Sequence, residues 1–240
     1  MIKLETHCHA RYGSPCATSP DEILIEDYVR AGYGGIVLTN HINKPSYDCH
    51  KGETHTEKVR FYYSLIENLT EKLNKHNVKV FWGTEIRAVC ENNVGCQEFT
   101  VYGISEKDMA DNKPLFTLTQ EELFRFAEKK GLFMYQTHPF RDGIVCGNPS
   151  FMHGAESFNG HFHHYNHNEK AKEFCAKNNL IGMSGTDYHH EYQPITAGIY
   201  IPDNICTNEQ LIEYIFTNNF KTIENAELYE YALKEYKEQK

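Results

Sequence analysis

Two histidines near the start of the chain, His7 and His9, have a spacing that suits metal binding. They follow an apolar run over residues 1–4, which predicts a first β-strand. Side chains two residues apart on a strand share a face, so both imidazoles would project together from its carboxyl end. Two neutral imidazoles make half of a site for a borderline-soft divalent ion. Taken alone, such a pair is more often two surface histidines, but similar residues recur along the chain.

Side chains of the metal-ligand type also follow the later apolar runs. The runs at 36–39, 78–82, 132–135 and 180–183 each predict a strand, and they are followed in turn by His41, Glu85, His138, and the pair Asp187 and His189. The carboxyl ends of the strands of an α/β barrel form a common mouth, so we expect these residues to converge. Together with the first pair, these histidines and carboxylates exceed what one ion needs. We therefore predict a cluster of two or three divalent ions, with Glu85 as a bridge.

Helical patterns alternate with these strands. Ser19-Pro20-Asp21-Glu22 predicts the start of a helix, with Ser19 as its cap and Glu22 as the capping-box partner. Another helix is predicted from Thr119, again with a capping box, and Gly131 would end it. The alternation of strand and helix predicts a parallel sheet covered by helices, and the number of units suits an α/β barrel.

The segments between these elements are less regular. Residues 43–56, which include Pro45 and Gly52, predict a long loop, and residues 91–96 predict a turn. Residues 98–104 predict one more strand. The sequence contains no internal repeat, low-complexity tract or linker, so we expect a single domain over residues 1–240.

The composition fits a soluble globular protein and argues against several classes of partner. The chain has 240 residues, of which 40% are hydrophobic and 24% are charged, enough for one domain with a real core. Its formal net charge is −9, which argues against a nucleic-acid duplex as the main partner. No apolar run approaches the ~18 residues of a membrane span, so we predict no membrane association.

The eight cysteines give an indication of the compartment. They form no Cys-x-x-Cys pair and show no framework spacing. Because the chain begins in a predicted strand, we expect no signal peptide ahead of it. The cysteines are therefore expected to be reduced thiols in a cytoplasmic protein.

The order of the motifs resembles the polymerase and histidinol phosphatase family, whose members are called PHP domains. The resemblance spans essentially the whole chain and rests on His7-Cys8-His9, Thr39-Asn40-His41, Gly83-Thr84-Glu85, His138-Pro139 and Gly185-Thr186-Asp187-Tyr188-His189. It implies a distorted (β/α)7 barrel of TIM-like type, two or three bound divalent ions (Zn, Mn or Fe) and the hydrolysis of phosphoesters. The stretches 84–87, 138–141 and 156–161 are similar to a subgroup of stand-alone bacterial PHP proteins.

The resemblance also implies how the ligands would be shared. One ion would be held by His7, His9, Glu85 and Asp187, a second by Glu85 and His138, and a third by His41 and His189. This chain departs from the family pattern in two places. The loop at 11–16 offers only Cys16 or Ser14 where PHP proteins usually have Asp or His. Many members also have a histidine after the strand that follows the bridging glutamate, where Tyr102 is the nearest polar candidate here.

These residues predict a metal-dependent phosphoesterase that acts on a small phosphorylated metabolite or a nucleotide. The ions would lower the pKa of a bound water, and with Arg141 they would stabilise the charge on the phosphoryl oxygens. The predicted catalytic residues are Asp187, His189 and Arg141, and the predicted substrate contacts are Arg87, Arg141 and His161. A guanidinium fork matches phosphate oxygens, which is the reason for choosing the two arginines. The proton donor to the leaving group is left open among His189, His138 and a bound water.

Two other classes of function fit part of the pattern. An amidohydrolase-type metal hydrolase also begins with His-x-His in a barrel, but that group usually carries a carbamylated lysine at the strand end where Glu85 stands. A non-catalytic metal-binding or ligand-binding module is favoured by the two departures from the PHP pattern. Turnover with added Mn²⁺ distinguishes the phosphoesterase from such a module.

Overall fold

The computed structural model describes residues 1–90 and 95–239, so most of the turn predicted at 91–96 lies outside the described residues. The strands are β1 Ile2–Cys8, β2 Tyr33–Leu38, β3 His41–Ile42, β4 Lys79–Ala88, β5 Gln97–Tyr102, β6 Phe133–Gln136, β7 Gly154–Asn159, β8 Ile181–Gly185, β9 Ala197–Ile201 and β10 Thr222–Glu224. The helices are α1 Asp21–Arg30, α2 Lys44–Cys49, α3 His55–Asn74, α4 Glu106–Ala110, α5 Gln120–Lys130, α6 Asn168–Asn178, α7 Asn208–Phe216 and α8 Ala226–Glu238.

The strands form one sheet that curls until its two sides meet. Neighbouring strands follow the order β10–β9–β1–β2–β4–β5–β6–β7–β8, and β3 pairs with β4. At the seam, Thr6 Oγ1 in β1 donates a hydrogen bond to the carbonyl oxygen of Ser184 in β8 at 2.6 Å. Just beyond it, Cys8 and Tyr188 form a parallel bridge. The prediction of a distorted TIM-like α/β barrel is confirmed, and within residues 1–90 and 95–239 its sheet contains ten strands.

The sheet is mixed, because β5 and β9 run against the direction of β1. β5 is antiparallel to both β4 and β6, and β9 is antiparallel to both β1 and β10. The prediction of a parallel sheet is therefore wrong for these two strands. An apolar run identifies a buried strand but carries no information about its direction. As a result, the amino end of β5, rather than its carboxyl end, lies next to the carboxyl end of β4.

The two largest hydrophobic clusters of the described residues hold the strands in place. The larger cluster joins the sheet to the covering helices, and it includes Leu24 of α1, Ile66 of α3 and Leu123 of α5. The smaller cluster collects side chains from strands around the barrel and packs them against Leu211 and Ile215 of α7. Burial of a large aliphatic side chain contributes roughly 1.5–3 kcal/mol. The strands that carry the residues of the mouth are therefore packed both against the covering helices and against one another.

The helix boundaries confirm one predicted cap and correct another. Thr119 and Glu122 form the predicted capping box of α5, and Gly131 ends this helix in a left-handed conformation with φ 66°. The cap predicted at Ser19 is wrong, because Pro20 occupies the N-cap position of α1 and no side chain caps the helix. Instead, the hydroxyls of Ser19 and Tyr188 hydrogen-bond with each other at 2.9 Å.

The segment predicted as a long loop at 43–56 contains a short helix, so that prediction is wrong. Asn43 caps α2 and forms a capping box with Ser46, while Pro45 sits in the first turn. Proline is tolerated there because its missing N–H would have no partner in the helix in any case. No helix among the described residues has both the length and the apolar character needed to cross a bilayer.

Candidate metal centre

Four of the predicted ligand atoms form a compact group at the carboxyl end of β1. The Nε2 atoms of His7 and His9 are 3.0 Å apart, and each lies 3.4 Å from Asp187 Oδ1. Glu85 Oε2 lies 3.6 Å from His7 Nε2 and 3.3 Å from His9 Nε2. All four side chains are buried. Strand β1 supplies His7, and His9 comes directly after the end of that strand. Strand β4 supplies Glu85, and the segment after β8 supplies Asp187.

The spacing of these four atoms fits a tetrahedral metal ion. Nitrogen and oxygen ligands bind Zn²⁺ at about 2.1 Å, which places them about 3.4 Å apart at the corners of a tetrahedron. The separations given above, from 3.0 to 3.6 Å, bracket that value. Two imidazole nitrogens that face each other at 3.0 Å among carboxylates are the arrangement expected around a cation. The donor set therefore fits the ion that the sequence predicts.

Glu85 connects this group to two more predicted ligands. His41 in β3 pairs with Glu85 in the parallel register of β3 and β4, which brings His41 Nδ1 to 2.9 Å from Glu85 Oε2. His138 Nε2 lies 3.1 Å from the other oxygen, Oε1. That oxygen also accepts a hydrogen bond from Thr137 Oγ1 at 2.6 Å. Oε2 is buried, makes no hydrogen bond of good geometry and lies among the imidazole nitrogens of His7, His9 and His41, which is the position expected for a metal ligand.

A third group of possible ligands lies beside the first. Ligand atoms of His9, His41 and His189 are all within 4.8 Å of one another. The thiol of Cys16 lies close enough to His189 and His41 to interact with both side chains. Burial of this thiol alone would raise its pKa, but the two histidines outweigh burial and lower the pKa to about 6. Ser14, the other polar residue of that loop, contacts His9 Nδ1 through Oγ at 3.0 Å and so orients this imidazole.

Two of the candidate ligands sit on backbone that L-residues rarely adopt. His138 has φ 32° and Asp187 has φ 54°, both on the left-handed side of the conformational map. Such conformations cost of order 1–3 kcal/mol and persist only where the surroundings impose them. The strain turns both side chains into the mouth immediately after their strands end.

Glu156, which the sequence prediction did not include among the site residues, contacts two of the candidate ligands and orients them. Its Oε1 lies 3.0 Å from His7 Nδ1, and its Oε2 accepts a hydrogen bond from the backbone N–H of His138 at 2.9 Å. A carboxylate on the far nitrogen of a metal-binding histidine fixes the tautomer and orientation of the ring. The sequence offers only a weak signal for this role, which is a carboxylate inside a short strand, because its partners His7 and His138 are distant in sequence.

Glu5 is a second supporting carboxylate that the sequence prediction missed. Its Oε1 accepts hydrogen bonds from the backbone N–H groups of Thr6, His7 and Thr186, at 2.8, 2.8 and 2.9 Å. Its Oε2 accepts a hydrogen bond from the hydroxyl of Tyr28 at 2.9 Å. The carboxylate thus joins the end of β1 to the segment that carries Asp187. Burial raises the pKa of Glu5 to about 7, although these hydrogen bonds oppose the rise.

The reversed direction of β5 brings a further carboxylate towards the centre. Glu98, at the amino end of this strand, has Oε2 at 3.8 Å from His138 Nε2. Tyr102, the candidate predicted from the sequence, lies at the opposite end of β5, where its hydroxyl donates to the carbonyl oxygen of Thr6 at 2.6 Å. Tyr102 is therefore not a residue of the mouth. A ligand after the carboxyl end of β5 would reach the mouth only if this strand ran parallel to β4.

The three predicted substrate contacts occupy different positions. Arg87 is half exposed and donates two hydrogen bonds to Glu98 Oε1, at 2.9 and 2.7 Å. Arg141 is mostly buried, and its Nη2 donates to Asp187 Oδ2 at 2.6 Å and to Asn159 Oδ1 at 2.8 Å. The ring centroid of His161 is 5.1 Å from that of His189. Arg141 and His161 thus adjoin the centre, and Arg87 adjoins it through Glu98.

Mutual electrostatics set the charges of the metal-free centre. Burial would raise the pKa of Asp187, but the positive charges of His7, Arg141 and His189 hold it well below its usual value. Burial would lower the pKa of His7, but the charges of Asp187, Glu156 and Glu85 raise it well above normal. Burial and the neighbouring His189 and His41 lower the pKa of His9. In the absence of an ion, protonated histidines neutralise the negative charge of the carboxylates.

No protein-family model matches the chain, and no curated protein matches it. Solved structures do match its fold. A two-domain protein from Bacteroides vulgatus, described as containing a predicted PHP-like metal-dependent phosphoesterase, is 19% identical, with a TM-score of 0.64 over 93% of this chain and 64% of that protein. The lesion-specific endonuclease EndoQ from Pyrococcus furiosus is 13% identical, with a TM-score of 0.59 over 92% of this chain and 57% of that one.

A third structure belongs to a differently named class. It is an amidohydrolase from Chromobacterium violaceum, 12% identical, with a TM-score of 0.56 over 93% of this chain and 99% of that one. The chain spans less than two thirds of the length of the Bacteroides and Pyrococcus proteins. At these identities the comparisons establish the fold, and they confirm at that level the resemblance to PHP proteins that the motifs indicate.

Proposed function

We propose that this protein is a metal-dependent phosphoester hydrolase. The observation that carries the proposal is the group of four donor atoms from His7, His9, Glu85 and Asp187, whose separations suit a divalent ion. Bound ions supply electrostatic stabilisation of the phosphoryl oxygens and make water a stronger acid at neutral pH. The similarity of the fold to a PHP-like phosphoesterase and to an endonuclease supports a phosphoester substrate.

The remaining predicted ligands fit two further ion positions. Glu85 and His138 would share a second ion, and we add Glu98 to this set because its Oε2 is 3.8 Å from His138 Nε2. His41 and His189 would hold a third. Whether the ions are Zn²⁺, Mn²⁺ or Fe²⁺ depends on availability as well as on affinity, because imidazole and carboxylate ligands suit all three.

We assign Arg141 a positioning role. Its Nη2 is engaged by Asp187 and Asn159, and its Nε donates to Asn166 Oδ1 at 2.7 Å. Because Asp187, Asn159 and Asn166 already engage the guanidinium, it orients the Asp187 carboxylate and has little capacity left to bind a substrate phosphate. When the third position holds no ion, His189, whose Nδ1 lies 3.2 Å from Asp187 Oδ1, is the side chain best placed to hold or deliver a proton to a leaving group.

A small phosphorylated metabolite or a nucleotide is the proposed substrate. The acidic chain, with its net charge of −9, would repel a long polyanion, whereas a small phosphate ester can be attracted by the local charge of bound ions. EndoQ acts as an endonuclease, so a nucleic-acid end is the second substrate to test.

An amidohydrolase activity is the alternative supported by one of the matching folds. It would require the same centre to hydrolyse a C–N bond rather than a P–O bond. At the bridging position this chain has the Glu85 carboxylate, which contacts both neighbouring groups of ligands. This arrangement favours phosphoester hydrolysis over a centre built on a modified lysine.

The test is turnover by protein stripped of metal and re-supplied with Mn²⁺, Zn²⁺ or Fe²⁺. The panel includes phosphomonoesters, phosphodiesters, short single-stranded oligonucleotides and N-acyl amides. We expect metal-dependent turnover of a phosphoester, and loss of that turnover in Asp187→Asn, which keeps the shape of the side chain but removes its charge. Asp111→Asn, on an exposed residue after α4, is the matched control and should retain full activity.

Three results would contradict the proposal. They are metal-dependent turnover of amides alone, equal phosphoester turnover with and without metal, and stoichiometric metal binding with no turnover of any phosphoester. The last result would shift the assignment to a non-catalytic metal-binding module.

A further inference from the structure

Three histidines outside the predicted ligand set converge at the rim of the mouth. His161 and His163 lie on the turn after β7, and His190 lies in the segment between β8 and β9. Ligand atoms of these three residues are all within 4.8 Å of one another. His161 is buried, whereas His163 and His190 are partly open to solvent. An ion could therefore reach this group from outside without passing through the main centre.

The separations between the rings agree with binding to one ion. The centre of an imidazole lies about 3.2 Å from a zinc ion that it binds, so two such rings in a tetrahedral site are about 5.2 Å apart. The centroid distances are 5.2 Å for His161 and His163, 5.8 Å for His161 and His190, and 4.5 Å for His163 and His190. For comparison, the rings of His7 and His9 in the main centre are 5.0 Å apart.

The surrounding contacts hold the three rings in place. Thr18 Oγ1 hydrogen-bonds with His190 Nδ1 at 3.0 Å, and this contact leaves Nε2 to face an ion. The side-chain oxygen of Gln193 accepts hydrogen bonds from the backbone N–H groups of both His189 and His190. His163 stacks on Tyr236 of α8, with centroids 3.9 Å apart. Such outer contacts orient the ligand rings of metal sites.

The backbone of the turn after β7 is also fixed. The N–H of His161 donates to Asn159 Oδ1 at 3.0 Å, and its carbonyl oxygen accepts from Asn166 Nδ2 at 3.1 Å. The N–H of His163 donates to His161 Nδ1 at 3.3 Å, so the two histidines of the turn are also linked to each other. The turn therefore presents its two histidines in a defined arrangement before any ion binds.

We propose that His161, His163 and His190 form an additional site for a borderline-soft divalent cation such as Zn²⁺. Three neutral imidazoles with one side open to solvent are a suitable donor set for this ion, with water completing the coordination. His161 lies between this outer site and the main centre, since its ligand atoms also group with those of Asp187 and His189. The outer site is independent of the reaction that the main centre catalyses.

The test counts the zinc ions bound by the full chain. Stripped protein is equilibrated with buffered free Zn²⁺, and bound zinc is measured per chain for the wild type and for His163→Asn/His190→Asn, which leaves every predicted ligand of the main centre intact. We expect the double variant to bind one zinc ion fewer, with the tighter ions retained. Anomalous diffraction at the zinc edge from wild-type crystals should show a peak between the three rings.

His167→Asn is the matched control, because His167 belongs to the same turn but its ring contacts Tyr165 rather than the cluster. His167 adopts φ 50°, a conformation that asparagine tolerates. The His167→Asn variant should therefore bind as much zinc as the wild type. Equal zinc content in the double variant and the wild type would overturn the proposal, as would the absence of a zinc peak at the three rings. If the double variant does not fold, His163→Asn alone gives the same two outcomes.

Discussion

Glu5 shows how a single buried side chain can fix the geometry of the whole centre. One of its oxygens accepts hydrogen bonds from three backbone N–H groups, two in β1 and one at Thr186. His7 and Asp187, whose ligand atoms are 3.4 Å apart, belong to the two segments that this carboxylate joins. Glu156 similarly links two ligands, since it contacts the imidazole of His7 and the backbone N–H of His138.

Replacement of Glu5 by alanine should therefore destabilise the fold. Each buried N–H that loses its acceptor costs about 1–3 kcal/mol, so we expect Glu5→Ala to lower the free energy of unfolding by roughly 3 kcal/mol or more. Glu5→Gln keeps a carbonyl oxygen in the same place, and it should cost less than about 1 kcal/mol. Chemical denaturation of the metal-free protein at pH 7 measures both. Equal losses in the two variants would show that the three N–H contacts do not carry the effect.

Protons and metal ions compete for the same side chains in the centre. In the metal-free protein, the charges of Asp187 and Glu85 raise the pKa of His7 and His41 although burial opposes this. Burial likewise opposes ionisation of His189, but Asp187 raises its pKa to about 9. These histidines hold protons at neutral pH, and an ion has to displace them.

The affinity for metal should consequently fall as the pH decreases from about 9 to 6. Binding at pH 7 should release protons, which calorimetry in two buffers with different heats of ionisation detects as a buffer-dependent binding enthalpy. Metal binding would also remove the protons of His41 and His189, whose charges hold the pKa of the Cys16 thiol at about 6. Binding enthalpies that are identical in the two buffers would contradict this account of the charges.

At the scale of the elements, the seam between β1 and β8 is the most constrained part of the barrel. A methyl group on Gly185, at the end of β8, would lie 2.5 Å from His7 Cβ and 2.8 Å from Glu156 Oε1. Only glycine lets the two strands approach this closely while His7 and its supporting carboxylate lie between them. The glycine of Gly185-Thr186-Asp187 thus has a packing role as well as a place in the motif.

Gly185→Ala should displace His7 and weaken metal binding. Overpacking typically costs about 1–3 kcal/mol, and loss of a supporting contact reduces metal affinity by roughly 10–100-fold. Gly182→Ala, on the same strand, is the control, because its added methyl would meet only the Ser157 side chain, at 3.0 Å or more. Competition with a chromophoric chelator measures the affinities. If Gly185→Ala binds metal as tightly as Gly182→Ala, the seam is more adaptable than we infer.

The direction of the strands marks the limit of what the sequence reveals about the elements. Apolar runs and capping residues located β6 and α5 to within a residue or two, because local chemistry determines them. The antiparallel course of β5 depends on contacts with β4 and β6 that no local pattern encodes. For that reason the sequence points to Tyr102 rather than to Glu98. The sequence does not reveal the helix at 44–49, because proline is typical of loops as well as of the first turn of a helix, where Pro45 lies.

At the scale of the whole molecule, the candidate centre draws on strands from the start, middle and end of the chain. The seven predicted ligands lie together because the barrel brings the carboxyl ends of β1, β4, β6 and β8 to one mouth. The sequence could predict this convergence, since each ligand directly follows an apolar run or, for Glu85, continues one. The carboxylates that orient the ligands could not be selected in the same way, because they lie inside strands and their partners are distant in sequence.

The most direct test of the account is metal binding by stripped wild-type protein and by Glu85→Gln, measured by competition with a chromophoric chelator. Glu85 contacts His7, His9, His41 and His138, so it is the residue that the proposed ion positions share. We predict at least two divalent ions bound per wild-type chain, and a loss of affinity of roughly 100-fold or more for these ions in Glu85→Gln, with the fold retained. Equal affinity and stoichiometry in the two proteins would contradict the assignment of this site as a metal centre.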